Sequence, residues 1–154
     1  MVKRPIWGWH DEGEVMSVIN YAAMPRFELG YAEALLAHRT GCDITGAWED
    51  IGPESFSSGT LGRIASDCGC FLAAASTIIA TAKDHGVELD EFDLGWHYYH
   101  QRHATGFGFA DGLPFEVSAP LAHIANHFRP TEVGIEDGKI EVVTSPKSVA
   151  AALA

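Results

Sequence analysis

The sequence predicts an α+β domain dominated by helix, closed by a small antiparallel β element near the C-terminus. Three observations predict it. Between Ser58 and Ala82 an apolar stripe (Leu61, Ile64, Cys68, Phe71, Leu72, Ala75, Ile78, Ile79) repeats at three- and four-residue steps, as one face of a long helix requires. Between Val133 and Val143 two alternating runs flank Asp137-Gly138, a dipeptide that favours a tight hairpin turn. Helical patterns precede this hairpin rather than alternating with strands, which selects α+β over α/β. If the Gly-Phe-Gly-Phe run at 106–109 adds a strand, the sheet has three strands instead of two.

The 154 residues suit a single domain over 1–145, with a helical and loop extension at 1–59, a core at 60–143 and a tail at 146–154. In chain order, Val15, Met16, Val18, Ile19, Ala22 and Ala23 favour a helix from Glu12 to Met24 stopped by Pro25, with a strand over Val15–Tyr21 as the alternative. Alanine, leucine and glutamate from Tyr31 to His38 predict a short helix ending at Gly41. The Gly-, Asp- and Ser-rich stretch from Gly41 to Gly59 reads as a loop tacked to the core by Trp48, Ile51 and Phe56. Ser58 or Thr60 then caps the long helix, which Gly86 stops. Its uncharged run Ala73–Ala82 predicts burial on more than one side. Asp90 or Asp93 caps a helix reaching His103, and Ser118 caps another through Phe128, with Pro120 in its first turn and Pro130 beyond. The final Ser-Val-Ala-Ala-Ala-Leu-Ala reads as a frayed end or a short helix.

Twenty-one acidic against ten basic residues leave a formal charge of −11 and no basic cluster beyond Lys3-Arg4. Such a chain repels phosphate backbones and anionic membranes, so direct nucleic-acid or membrane binding is not expected, whereas an acidic surface could still meet a basic protein partner. Cys42, Cys68 and Cys70 have neither redox nor zinc-knuckle spacing and read as free buried thiols in a reducing compartment. No secretory leader is read at the N-terminus, so a cytoplasmic location is expected.

Aromatics, imidazoles and glycines are densest from Leu94 to Leu113. On a helix His97, His100 and His103 lie within about 120° of arc, a face that could present imidazoles to zinc, with Asp93 or Asp111 assisting and His123 and His127 contributing from the next helix. The competing reading makes them half-exposed or carboxylate-bound residues. Arg102 can stack on Tyr98 or Trp96 and bind an anion, or pair with Asp111 or Asp93 and pin the helix to the following turn; the second is favoured. Trp96, Tyr98, Tyr99, Arg102, Thr105, Gly106, Phe107, Gly108 and Asp111 form the candidate binding set. Gly106 and Gly108 suit either close backbone approach to a ligand or a strand burying Phe107 or Phe109. No P-loop, dinucleotide fingerprint, nucleophile elbow or zincin motif is present.

This segment, G-W-H-Y-Y-H-Q-R-H-A-T-G-F-G-F-A-D at Gly95–Asp111, resembles the signature of a family of small, uncharacterised bacteriophage and prophage proteins, approximately G-H-D-F-W-L-T-R-N-G-H-G-A-G-F-W-D. Gly95, Arg102, Gly106, Gly108, Phe109 and Asp111 coincide, and Tyr98 and Tyr99 replace aromatics by aromatics. Upstream Asp67, Cys68 and Phe71 resemble the family's D-C-x-x-F segment; downstream E-D-G-K-I resembles its D-D-G-K-I hairpin. Thr105, His103 and Ala110 depart from the pattern, standing where the family has histidine, asparagine and tryptophan. The resemblance implies a phage-encoded accessory protein that binds a host or phage protein in the bacterial cytoplasm, with inhibition of a host process as one form. The alternatives are a small metal-dependent hydrolase built on the histidines and a minor virion or assembly component.

Overall fold

Residues 23–143 are described by the computed structural model, so the expected helix at Glu12–Met24 and the tail beyond Pro146 fall essentially outside them. Helix α1 spans Arg26–Cys42, α2 Ser58–Asp84, α3 Glu91–His103 and α4 Phe115–Ala125; strands β1, Val133–Glu136, and β2, Lys139–Val142, follow. Short 3-10 turns sit at Pro53–Ser55 and Phe109–Asp111. This is an α+β fold dominated by helix with a two-stranded antiparallel sheet.

Helix α1 starts at once after Pro25, whose carbonyl accepts from the N–H of Leu29, so proline here opens a helix. It runs longer than the alanine-rich stretch suggested, and Gly41 lies inside it rather than capping it. In the loop that follows, Asp43 accepts from the backbone N–H groups of Thr45 and Trp48 at 3.0 and 2.7 Å, and Trp48 and Phe56 are buried in the core as expected. Ser57 caps α2 in place of Ser58 or Thr60: its hydroxyl accepts from the Thr60 N–H at 3.1 Å and donates to Glu141 at 2.8 Å. The Thr60 hydroxyl donates to the Ile140 carbonyl, so the start of α2 is riveted to the hairpin.

The hairpin turns at Asp137 and Gly138, with φ of 52° and 74°, and pairs Ile135 with Ile140. Two successive left-handed residues match the right-handed twist of the strands, which is why Asp-Gly is favoured there. The third strand does not form from the 106–109 run. That run is a loop and a 3-10 turn, and the extra bridge to β2 comes from Phe56 instead.

Helix α4 starts at Phe115, with Val117 and Ser118 N–H groups donating to the Pro114 carbonyl, so Ser118 is a buried helical residue and not a cap. Pro120 is therefore in the helix interior, and the helix ends at Ala125, short of Phe128. The core joins Phe27 and Tyr31 of α1, Phe71 of α2, Tyr98 of α3 and Phe109. Phe71 lies at its centre, stacked at 4.3 Å on Tyr98 and at 5.8 Å on both Phe27 and Phe109. The long helix is buried on one side only. Although it is long and apolar enough to cross a membrane by length and composition, only 22% of its most apolar stretch is buried.

Where α1 crosses α3, two glycines meet backbone. A Cβ on Gly95 would stand 1.9 Å from the Phe27 carbonyl oxygen, and one on Gly30 would stand 2.0 Å from that of Phe92. No side chain fits either place, so this helix crossing requires both glycines.

Candidate functional site

The site grows from the end of α3. Asp90 caps this helix, its carboxylate accepting from the Asp93 N–H at 2.9 Å. At the other end Ala104 adopts the left-handed conformation (φ 55°) and Gly106 follows at φ 104°, turning the chain back along the helix it has just left. Gln101 holds the return: its Oε1 accepts from the Phe109 N–H, and its amide donates to Asn126.

Arg102 is the anchor. Its side chain is 3% exposed and its Nη1 lies 2.9 Å from Asp67 Oδ2, donates to the Tyr31 hydroxyl at 3.0 Å, and its Nε donates to the Arg129 carbonyl at 2.8 Å. The guanidinium also sits over the Tyr98 and Phe128 rings. The expected partners, Asp93 and Asp111, are both exposed and make no ion pair with it; Asp67, one turn before Phe71 on α2, takes their place. A buried guanidinium needs a carboxylate and filled acceptors to offset its desolvation, and Asp67, Tyr31 and Arg129 supply them. The structural role thus carries Arg102, through a residue on another helix that local spacing does not show. Asp67, Phe71 and the 95–111 block, far apart in the chain, form one contact.

The three imidazoles go to three different places. His97 Nδ1 donates to the Phe107 carbonyl at 2.8 Å. His103 Nδ1 donates to the Tyr99 carbonyl at 2.8 Å, and its Nε2 lies 3.1 Å from the Thr131 nitrogen and 3.3 Å from the Thr131 carbonyl oxygen, so both nitrogens are engaged. Burial holds its pKa below the ordinary histidine value, with the Arg102 charge acting in the same direction. His100 is buried, bonded through Nδ1 to the Thr105 hydroxyl, and its Nε2 has no partner. Burial first, and then the charges of His38, His97 and His103, push its pKa down to about 4. Neither the half-exposed nor the carboxylate-bound expectation fits it. Among the described residues no three His, Cys, Asp or Glu side chains converge as metal ligands, and His123 and His127 lie exposed on and just beyond α4.

A cleft of about 380 Å³ opens beside this corner, lined by His38, Arg39, Tyr99, His103, Thr105 and Thr131 among others. His38 and Arg39 were not legible as site residues; they arrive from α1 because Tyr31 and Tyr99 set the crossing of the helices. The Thr105 hydroxyl and His100 have the form of a nucleophile and a base. Burial of the imidazole, which holds its pKa down at about 4, leaves this base poorly protonated near neutral pH.

Of the remaining candidates, Tyr98 and Tyr99 are buried, and Trp96 is half-buried against His100 at 5.3 Å. A Cβ on Gly108 would meet the Gln101 side chain, so close approach there serves the fold. Phe109 is fully buried, whereas Phe107 is 60% exposed and Asp111 is exposed. Only one thiol matches the expectation of burial: Cys68 is buried, with its pKa pushed up by desolvation, while Cys42 and Cys70 are exposed. No protein-family model, curated protein or solved structure matches the chain.

Proposed function

We propose that the chain is a non-enzymatic accessory protein, phage-encoded and acting in the bacterial cytoplasm, that binds a host or phage protein through an acidic, aromatic-edged surface. The observation that carries this reading is the stretch from the end of α3 into the first turn of α4. Phe107 and Phe115 are 60% and 78% exposed there, with the carboxylates of Asp111 and Glu116 beside them and no lysine or arginine from His103 to Phe128. Large exposed aromatics cost solvation in a monomer and serve as anchors in an interface, where a desolvated ring supplies most of the contact energy. The candidate set of the corner divides accordingly. Tyr98, Tyr99, Arg102, Gly108 and the histidines set the scaffold, and Phe107 and Asp111 face outward.

The test is a pull-down from bacterial lysate with the wild-type chain and with a Phe107→Ser/Phe115→Ser double variant. Both residues are exposed, so the variant keeps the fold, as circular dichroism will check. A stoichiometric partner retained by the wild type and lost by the variant is the expected result. No stoichiometric partner, or equal capture by both chains, counts against the reading.

A further inference from the structure

The second half of α2 and the first half of α4 do not close on each other. Thr81 and Ile78 on α2, Val87 just after it, and Val117 and Pro120 on α4 line an open cleft of about 500 Å³. Its walls are almost wholly apolar, with Glu116 and His85 as the ionisable groups that line it. The residues fit the gap: α2 presents Thr77, Thr81 and Ala82 beside Ile78, and α4 faces them with Pro114, Val117 and Pro120. The size lies within the range of roughly 300–1,000 Å³ typical of built binding pockets. Phe115, the most exposed aromatic among the described residues, lies in the chain between Pro114 and Glu116, both of which line the cleft.

Charge decides what can enter. From Asp84 to Phe128 the carboxylates are Asp84, Glu88, Asp90, Glu91, Asp93, Asp111 and Glu116, all exposed. The one lysine or arginine in that span is Arg102, which is buried and already paired with Asp67. Lys83 alone stands against them at the end of α2. Glu116 lines the cleft, and Asp84 and Glu88 are chain neighbours of the lining residues His85 and Val87, so the rim attracts a cationic amphipathic segment and repels polyanions. A second copy would bring the same carboxylates face to face, and like charges across an interface are costly.

Resting on the reading above, that the chain binds a protein, we infer that the α2–α4 cleft receives a cationic amphipathic helix of the partner. Its apolar side chains seat on Ile78, Val87 and Val117. Its lysines and arginines face Asp84, Glu88 and Glu116. This is the helix-in-groove mode, in which apolar positions three and four residues apart anchor and the rim sets orientation.

The experiment uses the full-length chain, isotope-labelled, titrated with a helix-forming peptide of leucine and lysine and with its leucine–glutamate counterpart, reading the methyl signals of Ile78, Val87 and Val117. The lysine peptide is expected to move these signals and to weaken as salt screens the rim. Thr81→Arg, an exposed substitution that fills the cleft with a cation, and Glu116→Lys are each expected to weaken binding about tenfold or more, with circular dichroism unchanged. Unmoved methyl signals, equal binding of the two peptides, or full binding by Thr81→Arg overturns the inference. So do shifts that follow protein concentration without peptide, which assign the cleft to a second copy, or larger shifts with phosphatidylcholine vesicles, which assign it to lipid. Capture of a lysate partner that Thr81→Arg leaves intact sinks this inference and spares the proposed function. Peptide binding in the cleft without any lysate partner does the reverse.

Discussion

The α1–α3 seam and the α2–α4 cleft are both helix pairs of the described residues, and they are built to opposite ends. At the seam, Gly30 and Gly95 bring two backbones into contact, and Tyr31, Tyr98 and Tyr99 fill the flanks with rings. At the cleft, Ile78, Thr81 and Ala82 face Val117 and two prolines and leave space. A small residue therefore has no fixed meaning in a helix interface. Where the opposing helix has large rings on either side of the contact, glycine closes the pair; where neither helix supplies a ring, threonine and alanine leave it open. Phe71 on α2 packs among the rings of the core, while further along the helix Ile78 and Thr81 line the cleft.

The sharpest break of this contrast is Gly95→Ala. The added methyl would overlap the Phe27 carbonyl, and backbone cannot turn aside as a side-chain end can. We expect a loss of about 3 kcal/mol or more by urea denaturation, and Gly30→Ala should behave alike. A loss under about 1 kcal/mol would mean that the helices separate cheaply and that the seam does not organise the domain.

Next in size is Asp67→Ala, which strips the carboxylate from the buried Arg102 guanidinium. Removing one partner of a buried pair costs about 3–5 kcal/mol, and the Tyr31 and Arg129 acceptors remain, so we expect the lower end of that range. The double variant Asp67→Ala/Arg102→Met should recover part of the loss, because no unpaired charge is then left inside. If the double variant is as unstable as the single one, Arg102 contributes by packing rather than through its charge.

The same side of the molecule should respond to acid. Folding holds the pKa of His100 near 4, below the ordinary histidine value, so the folded chain binds fewer protons there than the unfolded one. Stability from this group is then complete above about pH 6.5 and drains away as the pH falls toward 4, by roughly 3 kcal/mol at most. His103, shifted the same way, adds to the slope. His100→Phe should remove most of this dependence, measured as the difference between variant and wild type in urea midpoints across that range. Parallel curves for the two chains would show that the imbalance of protons lies elsewhere.

How much of this was legible in the sequence follows from what local spacing can encode. The long helix, the cap at Asp90 and the Asp137-Gly138 hairpin are written in neighbouring residues and form as read. Ser118 misled because a capping residue type can equally occupy a helix interior, and Pro114 one turn earlier supplied the start. Gly106 and Gly108 suggested a strand, yet the left-handed turn at Ala104 and Gly106 sends the chain back onto Gln101. The Arg102–Asp67 pair and the arrival of His38 and Arg39 depend on the crossing of three helices, which no window of one chain segment contains. The uncharged face of α2 looked like a twice-buried helix, and composition alone does not distinguish a face covered by its own domain from one left for a partner.

The smallest effect separates those two meanings. Gly69 lies on the exposed face of α2, and a Cβ placed there meets nothing within 4 Å. Gly69→Ala should therefore stabilise the isolated chain by about 0.5–1 kcal/mol, the ordinary gain of alanine over glycine within a helix, opposite in sign to Gly95→Ala. Urea denaturation of the purified chain checks the sign. If Gly69→Ala destabilises the chain instead, that face is in contact with something in solution, and the contrast between a closed seam and an open side must be redrawn with α2 covered on both.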